Sequence, residues 1–160
     1  MVNRNIKKAQ YFLFPIFILI TMTLIFDHNL KQKSLPVENI LQYKNIIEEM
    51  FSILNTHRGV GLAAPQVGIM RQIFITNIDR PRVFINPSIV ETSLETMKYE
   101  EGCLSIPNIS VEIVRPERIK IQAWNEEGKP FTLEAVGLLA RVIQHEYDHL
   151  NGILIVDKNH

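Results

Sequence analysis

Apolar and polar positions change rhythm several times along this chain. Residues 11–26 read YFLFPIFILITMTLIF, an almost unbroken apolar run of 16 residues behind Arg4, Lys7 and Lys8. A basic start followed by an apolar stretch resembles a signal peptide or signal anchor. The run is at the short edge of what spans a bilayer, Pro15 interrupts it, and no small-residue cleavage site follows. The competing expectation is a buried first strand over residues 21–26, with Met22 as an alternative start and a stray extension ahead of it.

Residues 27–36 are polar and aperiodic, which predicts a loop or hairpin. Over residues 37–56 the period becomes helical, with Ile40, Ile47, Met50, Phe51 and Leu54 on one stripe and Glu38, Asn39, Glu48 and Glu49 facing out. Gly59-Val60-Gly61-Leu62-Ala63-Ala64-Pro65-Gln66-Val67-Gly68 follows. Three glycines and a proline in ten residues argue against any regular element and for backbone that approaches something closely. The period then becomes two. Residues 72–78, 82–90 (broken at Asn86-Pro87), 109–114, 118–124 and 130–135 read as strands, with a polar turn over residues 125–129. Residues 137–150 return to a helical period, stopped by Asn151-Gly152, and residues 153–156 suit a last short strand. Antiparallel-type strands with few helices predict an α+β fold, antiparallel sheets packed around a central helix.

Composition changes this picture little. At 160 residues the chain suits one domain. Seventeen basic and 17 acidic side chains cancel, so no global field draws nucleic acid, and no direct nucleic-acid binding is expected. One cysteine excludes an intramolecular disulfide and suits a reducing compartment.

That cysteine matters because of the last helix. Gln144-His145-Glu146-Tyr147-Asp148-His149-Leu150 contains His-Glu-x-x-His. Side chains four apart share a helix face, so His145 and His149 can hold one ion, and Glu146 beside them can handle a proton. The pattern also arises by chance, as two histidines on a wet face. Cys103, in Glu101-Gly102-Cys103-Leu104-Ser105, strengthens the ligand reading over that of a buried small apolar residue. A thiolate with two imidazoles suits a tetrahedral divalent ion that leaves one position for water. Asp148 lies off the ligand face and is expected behind it or in solvent. Amide hydrolysis also needs donors for a developing oxyanion. Gln66 and the Leu104 backbone N–H are the candidates, against the plainer reading of Gln66 as a loop residue.

Gly59 to Gln66, Glu101 to Ser105 and Gln144 to Gly152 together resemble, in order and spacing, the three signature motifs of the peptide deformylase family. The resemblance runs from about Asp27 to Asp157. It implies removal of the formyl group from N-formylmethionyl nascent peptides, releasing formate. It implies Fe2+ as the ion, with Zn2+, Ni2+ or Co2+ as substitutes, held by Cys103, His145 and His149. Glu146 would be the general base and acid. Gln66 and the Leu104 N–H would stabilise the intermediate, and Gly61 would line the site. Val142 would help form the methionine pocket, with Val60 and Glu101 at the substrate. On this expectation residues 22–160 are one metallohydrolase domain, residues 1–21 an apolar extension, and the chain is cytoplasmic, the alternative being membrane anchoring through residues 11–26.

Two features depart from the family pattern. The opening Leu24-Ile25-Phe26-Asp27-His28-Asn29-Leu30-Lys31 only approximates the usual strand, Pro-Asp turn and basic stretch. No long C-terminal helix of the kind associated with ribosome docking follows, so the ribosome stays a candidate partner only. Two other readings compete. A zincin-type protease takes its third ligand downstream, where only Asp157 and His160 of the eleven residues after His149 are of ligand type. A membrane-tethered binding protein with a structural metal needs a fourth protein ligand. No second cysteine exists, and His28, His57 and His160 lie in unrelated stretches.

Overall fold

The computed structural model describes residues 23–24 and 28–158. Helix α1 spans Lys44–Thr56 and helix α2 spans Gly137–Leu150. Strands β1 (Gly61–Ala63), β2 (Ile73–Asn77), β3 (Pro81–Thr92), β6 (Arg118–Trp124) and β7 (Pro130–Val136) form an antiparallel sheet in the order β1-β2-β3-β6-β7. Between β3 and β6 the chain leaves this sheet and makes a separate hairpin of β4 (Thr96–Cys103) and β5 (Ile106–Pro116).

Alternation along the central strands explains the layers. Successive residues point to opposite faces. Ile73 and Ile75 of β2 join Ile47, Met50 and Leu54 of α1 on one face. Phe74 between them turns to the other face, where it meets Ala140, Ile143 and Leu150 of α2. The sheet is therefore covered on both sides, which is why β2 is buried almost without interruption. Phe74 pairs with Phe84 of β3, and their rings stack at 4.5 Å. Helix α2 lies between this sheet and the β4–β5 hairpin, whose inner face contributes Cys103, Val111 and Ile113 to a smaller cluster with Ile155.

The fold class and the helix over residues 137–150 agree with the sequence pattern, and several local expectations are corrected. The first helix is shorter than residues 37–56, because Ile40–Tyr43 is a 3-10 turn and the α-helix starts at Lys44. The glycine-rich stretch does contain regular structure, β1 followed by a 3-10 turn over Ala64–Val67. Asn86-Pro87 bulges β3 without ending it. Asn86 takes a positive φ of 48°, its Oδ1 accepts the Val37 N–H at 2.7 Å, and the register with β6 shifts between Ile85 and Ser88. Strand β4 was not expected at all, because residues 96–100 are exposed and show no alternation. Residues 153–156 do not form a strand. Gly152 turns the chain at φ 72°, and a 3-10 turn spans Ile155–Lys158, with Asp157 Oδ2 accepting the Leu154 N–H at 3.0 Å.

The expectations for residues 1–21 fall outside the described residues. Of the strand expected over residues 21–26, Thr23 and Leu24 are described and belong to no strand, and Leu24 packs into the cluster under α1. Among the described residues no helix is long and apolar enough to cross a membrane.

Candidate metal centre

Helix α2 presents His145 and His149 one turn apart, with ring centroids 5.0 Å from each other. Cys103 reaches them from the end of β4. A register shift between Gly102 and Cys103, just before the two-residue Leu104-Ser105 turn, aims the thiol inward. Cys103 Sγ lies 3.3 Å from His149 Nε2. One ligand atom from each of Cys103, His145 and His149 falls within 4.8 Å of the others. A thiolate and an imidazole sharing a tetrahedral ion sit about 3.5 Å apart, from bond lengths of about 2.3 and 2.0–2.1 Å. The geometry and this soft donor set fit a divalent transition-metal ion.

His145 is fixed from behind. Its Nδ1 meets Glu101 Oε2 at 3.0 Å, which leaves Nε2 for the ligand group. Glu101 was expected at the substrate. Glu101 does border the cavity, and its carboxylate, in a residue 6% exposed, is engaged by Arg115, Arg141 and His145. Arg115 clasps it through Nε (2.6 Å) and Nη2 (2.9 Å), and Arg141 Nη1 adds a contact of 2.6 Å. Burial opposes the charge on Glu101, but the bonds from His145 and Arg115 outweigh it and hold the carboxyl well below its ordinary range. Burial likewise works against a charged His145, yet Cys103 and Glu101 together raise it to about 10. Proton and metal ion compete for this imidazole. His149 is different. Burial, then the charge on His145, lowers it to about 3, so its ring is neutral.

Glu146 is 3% exposed, and its Oε2 is buried with no hydrogen-bond partner among the described residues. Burial pushes its carboxyl up to about 7, against the opposing pull of His145 and Arg115. Gly61 of β1 packs directly on it. A Cβ there would overlap Glu146 Oε1 and come within 2.7 Å of Val142 Cγ1. Gln66 is a buried site residue, 2% exposed, rather than a surface loop residue. Its Oε1 accepts the Ala63 N–H at 2.8 Å, and its Nε2 faces Ser105 Oγ at 3.2 Å and Cys103 Sγ at 3.6 Å.

These groups border a cavity of about 390 Å³ lined in part by Val60, Gly61, Gln66, Cys103, Leu104, Val142, His145 and Glu146. Asp148 points away from it and accepts from Arg115 Nη1 at 2.7 Å, as its place off the ligand face predicts. Two site residues, Arg115 and Arg141, lie outside the motifs, and Ser105 lies within a quoted motif but had no role assigned to it. Arg115 left only a faint signal, since it continues the inward register of Val111 and Ile113 as a charged residue.

Comparison with known proteins places this geometry in a family. The family model for polypeptide deformylase matches residues 21–160. A peptide deformylase of Borreliella burgdorferi is 45% identical over 142 residues, covering 85% of this chain and 86% of the relative. One from Neisseria meningitidis is 47% identical over 137 residues, covering 82% and 81%. The crystal structure of the Thermotoga maritima peptide deformylase superposes with a TM-score of 0.81 at 44% identity, covering 86% of this chain and 95% of that one. The Synechococcus elongatus peptide deformylase in complex with actinonin gives 0.84 at 37%, covering 100% and 87%. With the family model matching residues 21–160, relatives 45–47% identical over most of both chains and the fold shared with the solved structures, this chain belongs to the peptide deformylase family.

Proposed function

We infer that this chain hydrolyses the formamide of N-formylmethionine at the start of newly made peptides, giving formate and a free amino terminus. One observation carries the reading beyond family membership. Cys103, His145 and His149 converge beside a cavity into which a buried carboxylate, Glu146, also faces.

When bound by Cys103, His145 and His149, a divalent cation supplies Lewis acidity toward the formyl oxygen and water; Fe2+ is the ion inferred, with Zn2+, Ni2+ or Co2+ as substitutes. Glu146 Oε2 takes the proton of the attacking water as oxygen adds to the formyl carbon. It then delivers that proton to the amine nitrogen as the C–N bond breaks. Burial, which pushes this carboxyl up to about 7, matches both halves of the task at neutral pH. Gln66 is held by the Ala63 N–H, so its amide edge faces the ligand group. The hydrogen it shares with Ser105 is the one available to the developing oxyanion, with the Leu104 N–H as second donor. Val60 and Val142 form the wall for the methionine side chain, and Gly61 leaves room between that wall and Glu146. Glu101 holds His145 through its carboxylate and also borders the cavity where the substrate would sit.

A zincin-type protease is disfavoured, because the upstream Cys103 already joins His145 and His149, and of the downstream candidates Asp157 is taken by Lys31 Nζ at 2.6 Å and the Leu154 N–H, while His160 lies outside the described residues. The proposed substrate, newly made formylated peptides, favours a cytoplasmic chain, with the ribosome as a candidate partner and membrane anchoring through residues 11–26 as the alternative. Recovery of tagged full-length chain in the membrane fraction would overturn that placement.

Formate release from formyl-Met-Ala-Ser by the anaerobically purified protein loaded with Fe2+ or Ni2+ is the deciding experiment. Glu146→Ala is expected to abolish release while keeping its metal, and Cys103→Ser to lose metal. No formate from the loaded wild type refutes the deformylase reading.

A further inference from the structure

Arg115 is 3% exposed and is absent from the residues that line the cavity, so it touches no substrate. It nevertheless makes three buried or part-buried side-chain hydrogen bonds, all to carboxylates. Nε and Nη2 grip both oxygens of Glu101 on β4, and Nη1 reaches Asp148 Oδ2 on α2. Asp148 is one residue before the ligand His149, and Glu101 holds the Nδ1 of the ligand His145. One guanidinium on β5 thus spans both elements that supply ligands. Strand β4 brings Cys103, and helix α2 brings the two histidines. Lys158 Nζ pairs with the same Asp148 oxygen at 2.7 Å and closes the network from outside.

The charge balance gives this arrangement its meaning. A buried carboxylate costs several kcal/mol unless it is paired and hydrogen-bonded. Glu101 could meet that need by pulling toward any donor within reach. Because Arg115 and Arg141 already satisfy one oxygen and Arg115 part of the other, Oε2 is held in a fixed position toward His145 Nδ1. A planar fork sets the plane of the carboxylate it grips, which a lysine ammonium cannot do.

We propose that Arg115 is a positioning residue for the metal site, setting the distance between β4 and α2 and, through Glu101, the orientation of the His145 ring. Asp148 is its anchor on the helix. The proposal rests on the ligand set given above but not on the reaction assigned to it.

The test measures metal directly. Wild type, Arg115→Lys and Asp148→Asn are loaded with Co2+, and the loss of the ion to a chelator is followed together with the visible spectrum of the bound ion. Loss of outer partners of metal ligands typically costs 10–100-fold in affinity or activity. Arg115→Lys is expected to release Co2+ roughly tenfold or more faster with a shifted spectrum, and Asp148→Asn to do so to a smaller degree. For formyl-peptide, kcat is expected to fall with KM unchanged. Release and spectra like those of wild type in both folded variants overturn the proposal. So does faster release that occurs only where the metal-free chain has melted by circular dichroism. If Arg115→Lys does not fold, Asp148→Asn decides alone, since that near-isosteric change is at a partly exposed side chain, 16% accessible. Faster Co2+ release in the variants of a wild type that yields no formate would uphold the positioning role and refute the deformylase reading.

Discussion

At the scale of single residues, the site depends as much on a missing side chain as on the ones present. Gly61 lets β1 lie against Glu146 and Val142 with no Cβ between them. Gly61→Ala forces the buried carboxylate to move, and displacement of a reacting group by about 1 Å costs on the order of 10²-fold in rate. The expected outcome is a kcat lowered to about that extent with metal content unchanged, read by steady-state formate release and metal analysis. His145, Glu146 and His149 were legible in the sequence because their relation is local, set by helical periodicity alone. Cys103 and Gln66 were legible as chemistry, but their distances to the helix were not. The inward turn of Glu101 was not legible, because its partners Arg115 and Arg141 lie 14 and 40 residues away in sequence.

At the scale of elements, α2 and the strands of the large sheet read cleanly because burial differs between their faces. Strand β6 spans Arg118–Trp124, as its alternation predicts. Strand β4 gave no such pattern, since its first five residues face solvent and their pairing with β5 is made by the backbone. The β3 bulge looked like a break for a related reason. Asn and Pro oppose a regular ladder, yet Asn86 finds two backbone partners at Val37 that no local rule foresees. The sheet is pinned at its centre by Phe84, which is fully buried, stacks on Phe74 and meets Phe131 at 5.5 Å. Phe84→Ala should cost about 3–5 kcal/mol by denaturant unfolding. A loss below about 1 kcal/mol would show that the β2–β3 contact is not the centre of that core.

At the scale of the whole molecule, α1, the five-stranded sheet, α2 and the hairpin stack so that the ligand helix is buried from two sides. The hairpin is joined to α2 in part through the Glu101–Arg115–Asp148 network, beside the apolar cluster with Ile155, and the network sets a pH dependence. The folded carboxyl of Glu101 titrates below its ordinary value of 4.5, so its contribution is present above that pH and is lost as pH falls below it. The metal-free chain is therefore expected to lose stability progressively below about pH 4.5. Glu101→Gln should be less stable at pH 7 and show a flatter acid limb, checked by thermal melts across pH 3–7. An acid limb as steep as that of wild type would remove Glu101 from the account.

The sequence by itself determined the α+β class, the helix carrying His145, Glu146 and His149, and the three motifs, because these depend on periodicity and local chemistry. Tertiary structure alone decided that Glu101 serves a histidine, that Gln66 faces Cys103 and Ser105, and that Arg115 joins hairpin to helix. Those relations connect residues far apart in the chain. Their energies come from burial and charge pairing, which exist only once the layers have packed.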